Sequence, residues 1–185
     1  MGTASDGSLS RYAFVSNTSI FFSRDDAEVA WRAFWNVEAK AGPTEPRAEN
    51  DCRDAVKRFL EGRFERAGLA QETEARFAGD TRCDITVGGI DAIVPVEVKC
   101  DWNSKLWTAW RDQLDAQYAR DPRAQGFGTY LVIWFGERRG KKPRARAPSH
   151  GAVPSSAAEC QKLLKELIAE HVDRLVPIVM DVSPV

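Results

Sequence analysis

Apolar residues recur along the chain in two rhythms, and each rhythm predicts its own kind of element. Helical spacing is clearest in Arg47–Ala67, where Cys52, Ala55, Val56, Phe59, Leu60 and Phe64 line one face and Gly68 is placed to end the helix. Lys105–Arg120 shows it again: Leu106, Trp107, Trp110, Leu114, Gln117 and Tyr118 share a broad face, Ser104 is a good N-cap, and Asp121-Pro122 ends the run. A third helix over Ser155–His171 turns Leu163, Leu164, Leu167 and Ile168 inward. Nearer the N-terminus, Ser23-Arg24-Asp25-Asp26 reads as a helix start. The stripe Val29, Ala30, Ala33, Phe34 and Val37, with Trp31 and Trp35 to one side, carries that helix to about Glu38, before a Gly/Pro break over Ala41–Pro46.

The second rhythm is the β-strand. Gly128–Phe135 is a continuous apolar run of β-formers, as expected of a strand buried on both faces. Val176–Val182 reads as a final strand, Leu69–Phe77 and Tyr12–Phe22 as further ones, and Gly79-Asp80 as a turn. Arg82–Asp101 reads as two strands around Gly88-Gly89. From residue 47 the order is helix, three strands, helix, strand, helix, strand. Early hairpins followed by helical crossovers predict an α/β fold with a mixed central sheet flanked by helices.

That hairpin also concentrates the chemistry. Residues two apart on a strand share a face, so Glu97 and Lys99 project together while Val96 and Val98 face the other way. Pairing brings Asp84, on the first strand, beside them. Two carboxylates and an ammonium on a mostly apolar hairpin are costly unless compensated, and a divalent metal between the carboxylates is an economical compensation. A salt bridge alone is the plainer reading. Gln113, near the edge of its helical face, is within reach of such a site, or is an ordinary solvated residue. Glu49 is either a first-turn acid that favours the helix dipole or a member of the site.

Composition narrows the class. A chain of 185 residues with 43% hydrophobic and 29% charged residues is long enough for one domain with a substantial core. The net charge of −1 predicts no polyanion partner by itself, so nucleic-acid binding requires a local patch. The patch on offer is Arg138, Arg139, Lys141, Lys142, Arg144 and Arg146, which could contact phosphates, although a solvated loop is the default reading of a charge run. No apolar run reaches membrane-helix length and no signal pattern opens the chain, so a cytoplasmic protein without membrane contact is expected. Cys52, Cys83, Cys100 and Cys160 lack CxxC spacing and read as reduced core residues, with Cys83 and Cys100 expected near each other. His150 and His171 are isolated. Residues 1–45 read as a polar leader with a strand-helix extension, and 46–185 as the main domain.

Asp84, the triplet Glu97-Val98-Lys99 and the order of elements resemble the PD-(D/E)xK, restriction-endonuclease-like nuclease superfamily over about Arg47–Phe135. Cys83 stands where that family prefers proline, and Glu38-Ala39-Lys40 is a second E-x-K without a role. The resemblance implies an αβββαβ core, extended here by a helix and a strand. It implies Asp84, Glu97, the Val98 carbonyl and Glu49 as Mg²⁺ ligands, with Mn²⁺ able to substitute. Lys99 would orient or deprotonate the attacking water, and Gln113 would position Lys99 or the phosphate. The implied activity is that of a DNA endonuclease, with RNA as the other substrate. Homodimers and membership of a larger protein both occur in such a setting, and bacterial defence against phage or foreign DNA is the implied context. A binding module that keeps the fold without cleaving is the alternative.

Overall fold

The computed structural model describes residues 31–38, 40, 42–66, 70–73, 77, 82–88, 92–138, 142–147, 151 and 153–184. The expected leader, the Tyr12–Phe22 strand, the Ser23 cap, the Gly79-Asp80 turn, Gly89 and His150 lie outside the described residues.

Five strands form one mixed sheet: β3 (Ala70–Thr73), β4 (Ile85–Gly88), β5 (Ile93–Cys100), β6 (Gly128–Trp134) and β7 (Leu175–Asp181), in that spatial order. The first three are antiparallel neighbours, and β5, β6 and β7 run parallel. Tight reversal suffices for the antiparallel part, whereas each parallel pair needs a crossover. The β4–β5 turn depends on Gly88, whose φ of 146° admits glycine readily and whose Cβ, if present, would collide with the Ala92 carbonyl. β6 is buried at every position, as its unbroken apolar run predicts.

The sheet has apolar residues on both faces. One face carries Val94, Val96, Val98, Leu131 and Ile133 against Cys52, Val56, Leu60 and Phe64 of α1 (Glu49–Arg66). The other carries Tyr130, Val132 and Leu175 against Leu114 and Tyr118 and against Cys160 and Leu164 of α2 (Ala157–Leu167). Ser156 caps α2 by accepting from Glu159 N at 3.2 Å, while Glu159 Oε2 accepts from Ser155 N and Oγ, both at 2.7 Å. Gln161 of α2 lies along the outer edge of β7: its Nε2 donates to the Pro177 carbonyl at 2.8 Å, and its Oε1 accepts from Val179 N at 2.6 Å.

Three expectations are corrected. The helix running to Glu38 is instead a 3₁₀ turn over Trp31–Phe34 followed by β1 (Trp35–Glu38), and the Gly/Pro break is β2 (Gly42–Pro46), antiparallel to it. Long-range bonding overrides the local pattern there: the buried Trp35 indole donates to the Val182 carbonyl at 2.8 Å, and Arg47 N donates to the Phe34 carbonyl at 3.0 Å. Phe34 and Trp35 therefore share the α1-side core with residues beyond 46. Secondly, Lys105–Arg120 is not one Ser104-capped helix. Turns lead into a π-helix, Trp110–Tyr118, and Asn103 rather than Ser104 caps the entry, its Oδ1 accepting from Lys105 N at 2.8 Å. The wide π turn closes with Ala119 N donating to the Leu114 carbonyl five residues back. Thirdly, the helix expected to reach His171 ends at Leu167, and a 3₁₀ turn over Ala169–His171 follows. Trp107 and Trp110, on the broad face expected from their spacing, are core residues.

Candidate functional site

β4 pairs β5 only as far as Val96. Its first pair is Ile85 with Val96, so Glu97–Cys100 lie beyond the β4 ladder. Asp84 stands in a bend just before β4, not within the strand. Backbone groups bared on the open side still need partners, and two acids supply them. Asp84 Oδ2 accepts from Val98 N at 2.8 Å, and Glu49 Oε2, from the first turn of α1, accepts from Cys100 N at 2.9 Å. A carboxylate stands in for a strand carbonyl at each position. The gap in the sheet is thus what gathers acidic groups here.

Glu97 and Lys99 project from the opposite side of β5 to Val96 and Val98, level with Tyr130 and Val132 of β6. Glu97 is 2% exposed and Lys99 6%. The Lys99 ammonium bonds directly to Glu97 Oε1, donates to the Val98 carbonyl at 3.1 Å, and lies 3.8 Å from Asp84 Oδ2. Arg53 of α1 approaches Asp84 Oδ1 at 3.8 Å. Glu97 Oε2 is buried with no hydrogen-bond partner among the described residues.

Electrostatics follows from this crowding. Burial, reinforced by Asp84 and only partly opposed by Lys99, pushes the Glu97 carboxyl up to about 7. Burial also raises Asp84, against the pull of Lys99, the Val98 N–H and Arg53. Lys99 moves the other way from a solitary buried amine: burial works against its charge, but Glu97 and Asp84 together outweigh it and raise its pKa. The ammonium is therefore a charged donor at neutral pH. Even with Lys99 and Arg53 beside them, burial pushes both carboxyls upward.

Glu49 is close enough to influence these groups, but its carboxylate is already occupied. Asn103 Nδ2 donates to both of its oxygens at 2.8 Å, in addition to the Cys100 bond. Gln113, on the π-helix, has a buried Oε1 with no partner among the described residues, whereas Gln117 is turned outward and donates to the Asp112 carbonyl. Asn103 and Arg53 carried no signal in the sequence, since their partners lie 54 and 31 residues away in the chain, a contact only folding reveals.

The fit to a divalent cation rests on the donor set. Glu97 Oε2 has no hydrogen-bond partner among the described residues, Asp84 Oδ1 faces Arg53 at 3.8 Å, and burial pushes both carboxyls upward, so a further cation beside them is electrostatically favourable. Among the described residues no three His, Cys, Asp or Glu side chains group as a metal-holding cluster. Two carboxylates, the Val98 carbonyl and water suit Mg²⁺, which keeps several waters and uses few protein ligands.

Of the six residues of the basic stretch, three have described side chains. Arg144 is buried: it donates to the Pro154 carbonyl at 2.8 Å, pairs with Glu137 at 3.2 Å, approaches Asp101 at 3.9 Å and stacks 4.1 Å over Trp134. Lys142 lies 4.1 Å over Trp102 and donates to the Pro46 carbonyl. Arg146 is exposed. Arg138, Arg139 and Lys141 lie outside the described side chains. All four cysteines are free and buried. Cys83 donates to the Ile85 and Val96 carbonyls, and the neighbour of Cys100 is Cys52, not Cys83 as expected. Burial pushes the Cys83 and Cys100 thiols well up, which removes them as nucleophiles.

Among the described residues no helix is long and apolar enough to cross a membrane. The model of one family, described as a domain of unknown function (DUF8371), matches residues 26–137 and so takes in the chain from before β1 to just past β6, with every acidic residue of the site. Neither the curated proteins nor the solved structures give a match.

Proposed function

This chain belongs to the DUF8371 family, and we propose that it is a metal-dependent endonuclease domain of the PD-(D/E)xK kind, hydrolysing phosphodiester bonds of DNA with Mg²⁺ or Mn²⁺. The observation that carries this reading is Glu97, a carboxylate buried beside Asp84 and Lys99 with one oxygen lacking any described partner. The antiparallel β3–β4–β5 unit followed by a parallel β6 is compatible with the restriction-endonuclease-like core and supports the reading at that level.

Asp84 and Glu97 would hold the cation, with the Val98 carbonyl beside them. A bound divalent cation lowers the pKa of coordinated water and polarises a phosphate. Lys99, held as an ammonium, has no lone pair to take a proton. Its part is to hold the attacking water and offset phosphate charge, not to deprotonate. Gln113 offers a buried oxygen to a water at the same face. Glu49, bound to Cys100 and Asn103, braces α1 against the end of β5 and need not ligate. Within the basic stretch, Arg146 is exposed and is the candidate to meet nucleic acid.

Plasmid cleavage with Mg²⁺, Mn²⁺ or EDTA tests this. Cation-dependent nicking is expected from the wild type, falling at least about a hundredfold in Asp84→Ala, Glu97→Ala and Lys99→Ala, with circular dichroism unchanged. Wild-type rates in any of the three overturn the reading. A second reading, a structural ion cluster without a metal, is favoured by the direct Lys99–Glu97 contact. It requires that calorimetry detect no Mn²⁺ binding.

A further inference from the structure

Resting on the metal-site reading above, we infer that Thr86 is a positioning residue of the same site, its hydroxyl accepting a hydrogen bond from a cation-bound water beside Glu97. Strand geometry places it. Thr86 pairs with Pro95 in the β4–β5 register, which makes Glu97 its diagonal neighbour on β5, within reach of a long side chain. Alternation along β4 directs Ile85 and Val87 into the α1-side core and Thr86 to the opposite face, the one that carries Glu97 and Lys99.

Burial makes the hydroxyl conspicuous. Thr86 is 6% exposed, and its Oγ1 has no hydrogen-bond partner among the described residues. Glu97 Oε2 shares that condition. Valine has the same shape as threonine and would fill the position without stranding a polar atom, as Val87 does one residue on. An ionised carboxylate only accepts hydrogen bonds, while a hydroxyl both donates and accepts. A water held between Glu97 and Thr86 therefore satisfies both, donating one proton to each. On a cation such a water is fixed in orientation, which is the part second-layer groups play around metals. The packing explanation of Thr86 accounts for its methyl group and leaves its oxygen unexplained.

Mn²⁺ alone is the probe, titrated calorimetrically into the wild type, Thr86→Val, Thr86→Ser and Thr86→Ala, with melting temperatures recorded without metal. Thr86→Val is expected to bind Mn²⁺ about tenfold more weakly while melting no lower than the wild type. Ser and Ala differ by the hydroxyl alone, so Thr86→Ser should bind like the wild type and Thr86→Ala like the valine variant. This pair keeps the test decisive if valine disturbs the fold. Wild-type affinity in Thr86→Ala, or equal weakening in Thr86→Ser and Thr86→Ala, overturns the role of Thr86 and leaves the metal site standing. Failure of the wild type itself to bind Mn²⁺ overturns the metal site and the role of Thr86 together.

Discussion

Glu97 makes this protein's stability a function of pH in an unusual direction. Its carboxyl pKa is raised on folding from 4.5 to about 7, so the folded state holds that proton more tightly than the unfolded one. Such a group contributes its stability below its unfolded value and loses it as pH climbs through about 7, and Asp84 shifts the same way. The metal-free protein should therefore melt lower at pH 8 than at pH 5.5. Glu97→Gln should flatten that slope and raise the pH 8 melting temperature by several degrees, because Asp84 and Lys99 then balance. Added Mn²⁺ should stabilise the wild type at pH 8 and leave Glu97→Gln unmoved. Differential scanning fluorimetry across pH reads all three, and a wild type that gains stability from pH 5.5 to 8 without metal contradicts the charge imbalance. At this scale the sequence was informative where spacing alone fixes direction. Strand alternation joins Glu97 to Lys99, while Asp84, in the bend before β4, falls outside that rule. It was silent on Asn103, whose importance comes from a contact across 54 residues.

Among the elements, the unequal lengths of β4 and β5 decide most. Because β4 starts at Ile85, the end of β5 depends on side chains from elsewhere, and α1 is tied to it through Glu49 and Asn103. Asn103→Ala removes two charge-assisted bonds and should cost about 2 kcal/mol in urea unfolding, with an unchanged m value. If Glu49 only braces, the same variant keeps Mn²⁺ affinity within about twofold, well short of the tenfold loss typical of groups that support a ligand. A larger loss would return Glu49 to the ligand set. α1 and β6 were legible because their patterns are decided by burial against one core, as Leu60 and Leu131 illustrate. β1 was not: Trp35 lies beside a helical stripe by spacing, and pairing with β2 together with Val182, 147 residues away, holds it in a strand. The π-helix escaped for a related reason, since a five-residue closure leaves no periodic mark in a nine-residue segment.

On the scale of the whole molecule, the described part of the basic stretch, 142–147, is fastened as a strap. Arg144 fastens 142–147 over the ends of β5 and β6 through Trp134, Glu137 and Asp101, and Ala145 adds bonds to the Asp101 backbone and the Trp107 indole. Removing one member of a buried ion pair leaves the other uncompensated. Arg144→Met should thus destabilise by about 3 kcal/mol, whereas Arg146→Ala should leave stability unchanged. If DNA is bound here, Arg146→Ala reduces the salt slope of binding by about one. Equal stability of the two variants would mean the strap is not held as described. A run of six cations read from sequence gave no means of separating these roles, because a charge that faces Trp134 looks like one that faces solvent.

The amide of Gln161 on β7 has a wider consequence. An outermost strand is ordinarily a template on which a strand from another molecule can settle, extending the sheet from one protein into the next. Here the Pro177 carbonyl and the Val179 N–H, two of the groups such a strand would seek, are already answered from within the chain. A strand arriving along that stretch of β7 would therefore have to displace the Gln161 amide first. On that part of the border one glutamine stands in for the neighbour that would otherwise be recruited.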